Sequence, residues 1–362
     1  MQAKNGSGVA HSRRRLIACV SAVAIAISAL ALSPAAGATP PPSSYVALGD
    51  SLAFGYSQHV FLANLPGESP SAYEEGYVNF FAKKLKSSTK IFGEFNPGVN
   101  LAGLVTTNQG CPGETSASFN GEEAPCAYHN TTAESLGITG YHFPLHHEYT
   151  GCSPSSACET PQLLNTVEVL RYDEALGIPV YAVTLDIGAN DLLHAKANCE
   201  ATFAEKGYSS ANECVFASAP ALFQSVGEKI GRIIGTIRSP EGGNYKGPIV
   251  LSGLYNPFGQ TVAGAGELTT AFNGNVLTHL VSVFGGAAGN IYFANPYPVF
   301  NPKDTKLNPN KEEQRICELT NMCPEGHIDP VHGDIHPTLA GYKKLAGVLW
   351  KQEVVAAKEG KL

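Results

Sequence analysis

Four short stretches carry side chains able to do chemistry. Ser51 lies in Gly49-Asp50-Ser51-Leu52, directly after the apolar run Tyr45-Val46-Ala47-Leu48. A buried strand that stops at a glycine and hands a serine to the following turn lifts the hydroxyl into a cleft at a sheet's carboxyl edge. There it can serve as a nucleophile. Gly-Asp is also ordinary turn chemistry, so the tetrapeptide alone reads equally well as a tight turn. Asp186-Ile187-Gly188-Ala189-Asn190-Asp191 repeats the pattern. An Asn190 amide presented there can donate to an oxyanion, or merely close an Asx turn. In Cys111-Pro112-Gly113-Glu114-Thr115-Ser116, Gly113 can bring its N–H close to a ligand as a second donor, or sit in a disulfide-stapled turn. His336 follows Asp334 and precedes Pro337, which suits the first turn of a helix and leaves His336 in the loop before it. A loop histidine beside a carboxylate is suited to general-base work.

These residues need a scaffold that gathers them. Residues 45–48, 99–105, 180–187, 248–254 and 290–294 are short apolar runs bounded by turn residues, and read as buried strands. Helical periodicity runs over 77–85, 162–176, 221–237, 268–284 and 339–357. The alternation predicts an α/β fold: a flavodoxin-like three-layer α/β/α sandwich around a five-stranded parallel sheet. In such a sheet ligands bind beyond the carboxyl ends of the strands, where the reactive stretches fall. Residues 39–362 read as a single domain. Two insertions, near 111–160 and 198–218, read as long polar loops of the kind that form lids or binding walls.

The four stretches, in this order, resemble the blocks of the SGNH hydrolases, the GDSL lipase/esterase family. The matching residues are Gly49-Asp50-Ser51, Gly113 within Gly-Glu-Thr, Gly188-Ala189-Asn190-Asp191, and His336-Pro337-Thr338 running to Gly341-Tyr342. The resemblance implies a serine hydrolase acting on carboxylic esters through an acyl-enzyme. Ser51 would be the nucleophile and His336 the base. The N–H groups of Ser51 and Gly113, with the Asn190 side chain, would form the oxyanion hole. No metal or organic cofactor is implied. The implied partner is an ester, either a lipid or an acylated small molecule or glycan. Removal of acetyl groups from a carbohydrate is the second reading, and a non-catalytic binding protein the third.

The chain departs from the family at one point. The orienting acid usually stands three residues before the histidine, and here that position is Gly333. Asp334 is the expected partner of His336. Asp329, or a backbone carbonyl such as that of Gly333, remains open. Asp329 stands three residues before His332, which makes His332 a competing base. The Pro-Thr-x-x-Gly-Tyr sequence after His336 favours His336. Asp50 and Asp191 are expected to hold loop geometry.

The ends and the bulk composition bound the setting. Arg13-Arg14-Arg15, an apolar run from Leu16 to Leu32, and Ala36-Gly37-Ala38 form the pattern of a secretory signal spanning residues 1–38. The chain is therefore expected to be secreted, with no membrane span after cleavage. Removing Lys4 and the three arginines takes the net charge from −7 to −11, which disfavours nucleic acid and anionic lipid surfaces as partners. Eight cysteines then remain. Their clustering suggests the pairs Cys111–Cys126, Cys152–Cys158, Cys199–Cys214 and Cys317–Cys323, since short loops are cheap to close. No C-x-x-C occurs, which disfavours zinc. His142, His146, His147 and Glu148 hint at a metal site, but Pro144 breaks the helix that would align them. Phe54 and Tyr56 are candidates for an acyl-pocket wall or for core, and His59 and His194 for the cleft or the surface.

Overall fold

Along the first strand Tyr45 and Ala47 face one apolar layer, and Val46 and Leu48 face another. A strand that is apolar on both sides belongs at the centre of a sheet covered on both faces. The computed structural model describes residues 42–64, 70–123 and 160–362 and places this strand there. The strands are β1 (Ser43–Gly49), β2 (Leu104–Asn108), β3 (Val180–Asp186), β4 (Ile249–Ser252) and β5 (Ile291–Ala294). All four pairings are parallel, in the order β2-β1-β3-β4-β5. The fold is the expected α/β arrangement around a five-stranded parallel sheet.

The helices that matter for the site are α1 (Ser51–Phe54), α2 (Tyr77–Ser87), α3 (Gln162–Leu176), α4 (Ala189–Thr202), α5 (Ala211–Arg238), α6 (Ala265–Phe272), α7 (His279–Val283) and α8 (Leu339–Lys358). Val78, Phe81 and Leu85 of α2 and Leu345, Ala346 and Leu349 of α8 cover one face of the sheet. Leu163 and Leu170 of α3, Ile230, Ile233 and Ile234 of α5, and Phe272 of α6 cover the other.

The second strand begins at Leu104, not at residue 99. Residues 99–103 are a turn whose Leu101 is buried, and the strand itself is Leu-Val-Thr-Thr-Asn. It is an edge strand with one neighbour, so Val105 is 57% exposed and the apolar run misplaces it. Residues 198–218 are not a loop either. They are the end of α4, a turn and the start of α5, stapled by the Cys199–Cys214 disulfide. Cys317–Cys323 is the second described disulfide. Cys111 is disulfide-bonded, but Cys126, Cys152 and Cys158 lie outside the described residues. The helical run expected over 268–284 is α6, a π-helical turn at Asn273–Thr278, and α7. A two-stranded antiparallel ribbon pairs β6 (Thr320–Asn321) with β7 (Asp334–Pro337). His336 therefore lies on a short strand and not in a loop, Pro337 ends that strand instead of opening the helix, and Thr338 caps α8 by accepting the N–H of Gly341.

Candidate active site

Ser51 opens α1, so its N–H has no acceptor within that helix. Asp50 caps the helix, accepting the Leu52 N–H on Oδ1 at 2.9 Å. Gly49 adopts φ +139°, and a Cβ there would lie 2.1 Å from the carbonyl oxygen of Asp186. Glycine alone lets β1 end this close to β3. The Asp186 carboxyl beneath accepts the Tyr77 hydroxyl at 2.5 Å and the Ala53 N–H at 3.2 Å. It also hydrogen-bonds the buried Asp50 side chain. Burial first, then the Asp50 charge, holds its pKa well above the ordinary carboxyl range.

Ser51 Oγ lies 2.8 Å from Nε2 of His336. The other ring nitrogen, Nδ1, lies 2.5 Å from Oδ1 of Asp334. In a strand, residues two apart point to the same side, so a carboxylate two residues before the histidine reaches its ring. Asp334 also accepts the His336 N–H on Oδ1 at 3.1 Å and the Gln58 N–H on Oδ2 at 2.9 Å. Burial pushes its pKa up. The hydrogen bond and charge of His336, with the two N–H groups, outweigh that and hold it below the usual carboxylate range. An anionic Asp334 favours the Nδ1–H tautomer and leaves Nε2 to accept the serine proton.

Asp329 is engaged by its own turn. Its Oδ1 accepts the N–H groups of Val331 and His332 at 2.9 and 3.0 Å, and its Oδ2 lies 2.9 Å from His332 Nδ1. The His332 and Val331 N–H groups, then the His332 ring, hold its pKa down at about 2. His332 is 78% exposed. Of the two Asp–His pairs, Asp334–His336 is the one beside Ser51.

Three contacts brace the histidine. Its ring packs edge-on against Tyr56, with centroids 4.7 Å apart. The Tyr255 hydroxyl donates to the Ile335 carbonyl at 2.7 Å. The Tyr342 hydroxyl donates to the Tyr56 carbonyl at 2.5 Å.

Asn190 lies in the first turn of α4. Gly188 before it adopts φ +110°, and a Cβ there would lie 2.5 Å from the Phe272 ring. Asn190 Nδ2 donates to the Glu114 carbonyl at 2.9 Å, which orients the amide and leaves its second N–H for another acceptor. Asp191 accepts both the N–H and the hydroxyl of Ser116, at 2.9 and 2.7 Å. Gly113 sits exposed at the tip of the same loop, with φ +85°.

Two buried side chains beneath these groups were not singled out from the sequence. Gln162 bonds both the N–H and the carbonyl of Gly49, and donates to the Glu114 carboxyl. Glu114 stood inside a matched block, which was a usable signal. Gln162 opens an ordinary helix and carried none. Phe54 proves to be core, packed on Tyr73. Tyr56 is likewise buried, with its ring against His336. His59 and His194 are exposed. His142, His146, His147 and Glu148 lie outside the described residues.

A cavity of about 130 Å³ opens beside Ser51, Asn190 and His336. Leu192 and Leu193 of α4, Val215, Ala219 and Leu222 of α5, and Phe258 after β4 supply much of its wall. Asn273 anchors the β4 end of this wall, bonding the N–H and the carbonyl of Leu254 at 2.8 Å each. The π-helical turn begins at that residue.

No family model and no curated protein matches the chain. Among solved structures it is similar to an extracellular lipase from Streptomyces rimosus, with 15% identity, a TM-score of 0.43, and coverage of 86% of this chain and 99% of that one. It is also similar to an acetylxylan esterase from Geobacillus stearothermophilus, with 12% identity, a TM-score of 0.41, and coverage of 86% and 94%. Similarity at this level assigns no substrate to this chain.

Proposed function

We propose that the protein is a secreted serine esterase or lipase that cleaves carboxylic esters through an acyl-enzyme. The observation that carries this reading is the hydrogen-bonded series Ser51–His336–Asp334 at the carboxyl edge of the sheet, beside an apolar cavity. In the proposed reaction Ser51 Oγ attacks the ester carbonyl carbon while His336 Nε2 takes its proton. Asp334 stabilises the imidazolium through Nδ1–H. The N–H groups of Ser51 and Gly113 and the Asn190 amide donate to the developing oxyanion. Collapse of the tetrahedral adduct expels the alkoxide, which recovers the proton from Nε2. Water, activated by the same nitrogen, then releases the carboxylic acid and restores Ser51.

The cavity argues for the acyl half of the substrate. Its 130 Å³ is well below the roughly 300 Å³ at which drug-sized sites begin. Its largely apolar walls suit an alkyl acyl chain longer than acetyl, and this favours an aliphatic ester over an acetylated glycan. The described disulfides and the basic–apolar–small pattern of residues 1–38 support export. Among the described residues no helix is long and apolar enough to cross a membrane.

A panel of aryl esters from acetyl to palmitoyl tests the reading. Wild type is expected to turn over butyryl to octanoyl esters fastest, and Ser51→Ala to lose at least about 10³-fold in kcat. Ester hydrolysis surviving in Ser51→Ala would refute the mechanism. Preference for acetyl on a polysaccharide would move the substrate to the carbohydrate reading.

A further inference from the structure

Gln162 is 1% exposed and sits at the first turn of α3, where it touches both the nucleophile turn and the loop that carries Gly113. Its Oε1 accepts the Gly49 N–H at 2.7 Å, and its Nε2 donates to the Gly49 carbonyl at 3.0 Å. The β1–β2 register ends at Ala47, so the Gln162 amide takes over the pairing two residues before Ser51. The second hydrogen of Nε2 donates to Glu114 Oε2 at 2.8 Å. Glu114 Oε1 accepts the Ser118 hydroxyl at 2.5 Å. The Glu114 carbonyl in turn holds the Asn190 amide.

We propose that Gln162 and Glu114 are positioning residues that set the distance between the nucleophile turn and the groups that receive the oxyanion. This rests on the reading of Ser51 as nucleophile. The loop that carries Gly113 is fastened to α4 independently, by Asp191 on Ser116. It is fastened to the nucleophile turn by the Gln162–Glu114 bridge, by the Cys111 N–H on the Gly49 carbonyl at 3.0 Å and, at its base, by Asn108 Nδ2 on the Ala53 carbonyl at 2.7 Å. Burying a carboxyl and an amide here costs more than burying two aliphatic side chains of that volume, so packing alone does not account for them.

The bridge also has a pH signature. Burial, opposed by the Ser118 and Gln162 bonds and reinforced by the Asp50 and Asp191 charges, pushes Glu114 up to about 8. Asp50 faces it from the nucleophile turn, Asp191 from α4 and Gln162 from α3. From its own loop come Ser118 and, through the Thr115 hydroxyl, Glu123. Neutral Glu114 leaves the oxyanion donors undisturbed. Its anion places a negative charge directly behind them.

The experiment compares Gln162→Met and Glu114→Gln with wild type, using an aryl ester and active-site titration with an alkyl phosphonate. In Gln162→Met, kcat per titrated site is expected to fall about 100-fold, as small misplacements of reacting groups do, with KM changed by less than about two-fold. Wild-type activity is expected to decline as pH rises from about 7 to about 9, and Glu114→Gln to show a flatter limb, because the group that acquires charge is gone. Wild-type kcat per titrated site in Gln162→Met overturns the proposal. So does an unchanged alkaline limb in Glu114→Gln, which keeps the measurement decisive if Gln162→Met fails to fold. Failure of the phosphonate to label Ser51 overturns the nucleophile assignment instead.

Discussion

Asp334 differs from Asp329 in what it touches. Asp334 spends one oxygen on the His336 ring, while Asp329 spends both on its own turn. Asp334→Asn is therefore expected to lower kcat by about 10³–10⁴-fold, since an amide there no longer holds the reactive tautomer. Asp329→Asn is expected to stay within about two-fold, because surface changes of this kind rarely reach a distant site. Steady-state kinetics of both variants checks the pair. Ser51, Asn190 and His336 were legible because each sits at an apolar run's end or in a matched block. Asp334 is the expected acid, but only the backbone explains its unusual spacing. The spacing of two makes sense once β7 is seen as a strand, and a strand of four residues leaves almost no periodic trace. Gln162 was illegible for a related reason. Its partners are the backbone of Gly49 and the carboxyl of Glu114, 113 and 48 residues away, and neither distance leaves a mark on local pattern.

At the scale of elements, α4 and α5 supply one side of the cavity wall, and the Cys199–Cys214 bridge clamps them together. A loop of this length stabilises by about 3 kcal/mol, so Cys199→Ser with Cys214→Ser is expected to lose about that much in denaturant unfolding. Ala219 of α5 lines the cavity with a single methyl. Ala219→Phe is expected to lower the octanoyl-to-acetyl ratio of kcat/KM by about ten-fold or more, the effect of removing room for a methylene or two. The ester panel reads it directly. Helix α3 was legible to the residue because Pro161 precedes it and Gly177 ends it in the left-handed conformation. The tip where α4 meets α5 was not. Residues 198–218 are largely polar and carry two cysteines, so this tip is held by the disulfide and the small cluster of Phe203, Tyr208 and Val215 around it, while the rest of α5 has the apolar face that made it readable.

At the scale of the whole molecule, an uncompensated buried carboxyl works against stability. Glu353 of α8 is fully buried, and neither carboxyl oxygen has a hydrogen-bond partner among the described residues. Burial raises its pKa well above the usual value. A carboxyl raised in the folded state binds its proton more tightly there than in the unfolded chain. Its contribution to stability is full below the unfolded value of about 4.3, and is lost as pH rises toward the folded value, at up to about 1.4 kcal/mol per unit. Glu353→Gln is expected to raise Tm at pH 8 and to match wild type at pH 4. Thermal unfolding across that range tests it.

The hydrogen bond from Ser51 to His336 joins residues 285 apart, nearly the two ends of the described chain. The strands and helices between them can form while that loop is still open. On the proposed mechanism turnover cannot begin until it closes, because His336 arrives with the last ribbon and helix. Ester turnover is then expected to be a late reporter of folding. During refolding it should trail helical circular dichroism, and a chain released short of residue 336 would carry a serine with no means of activating it.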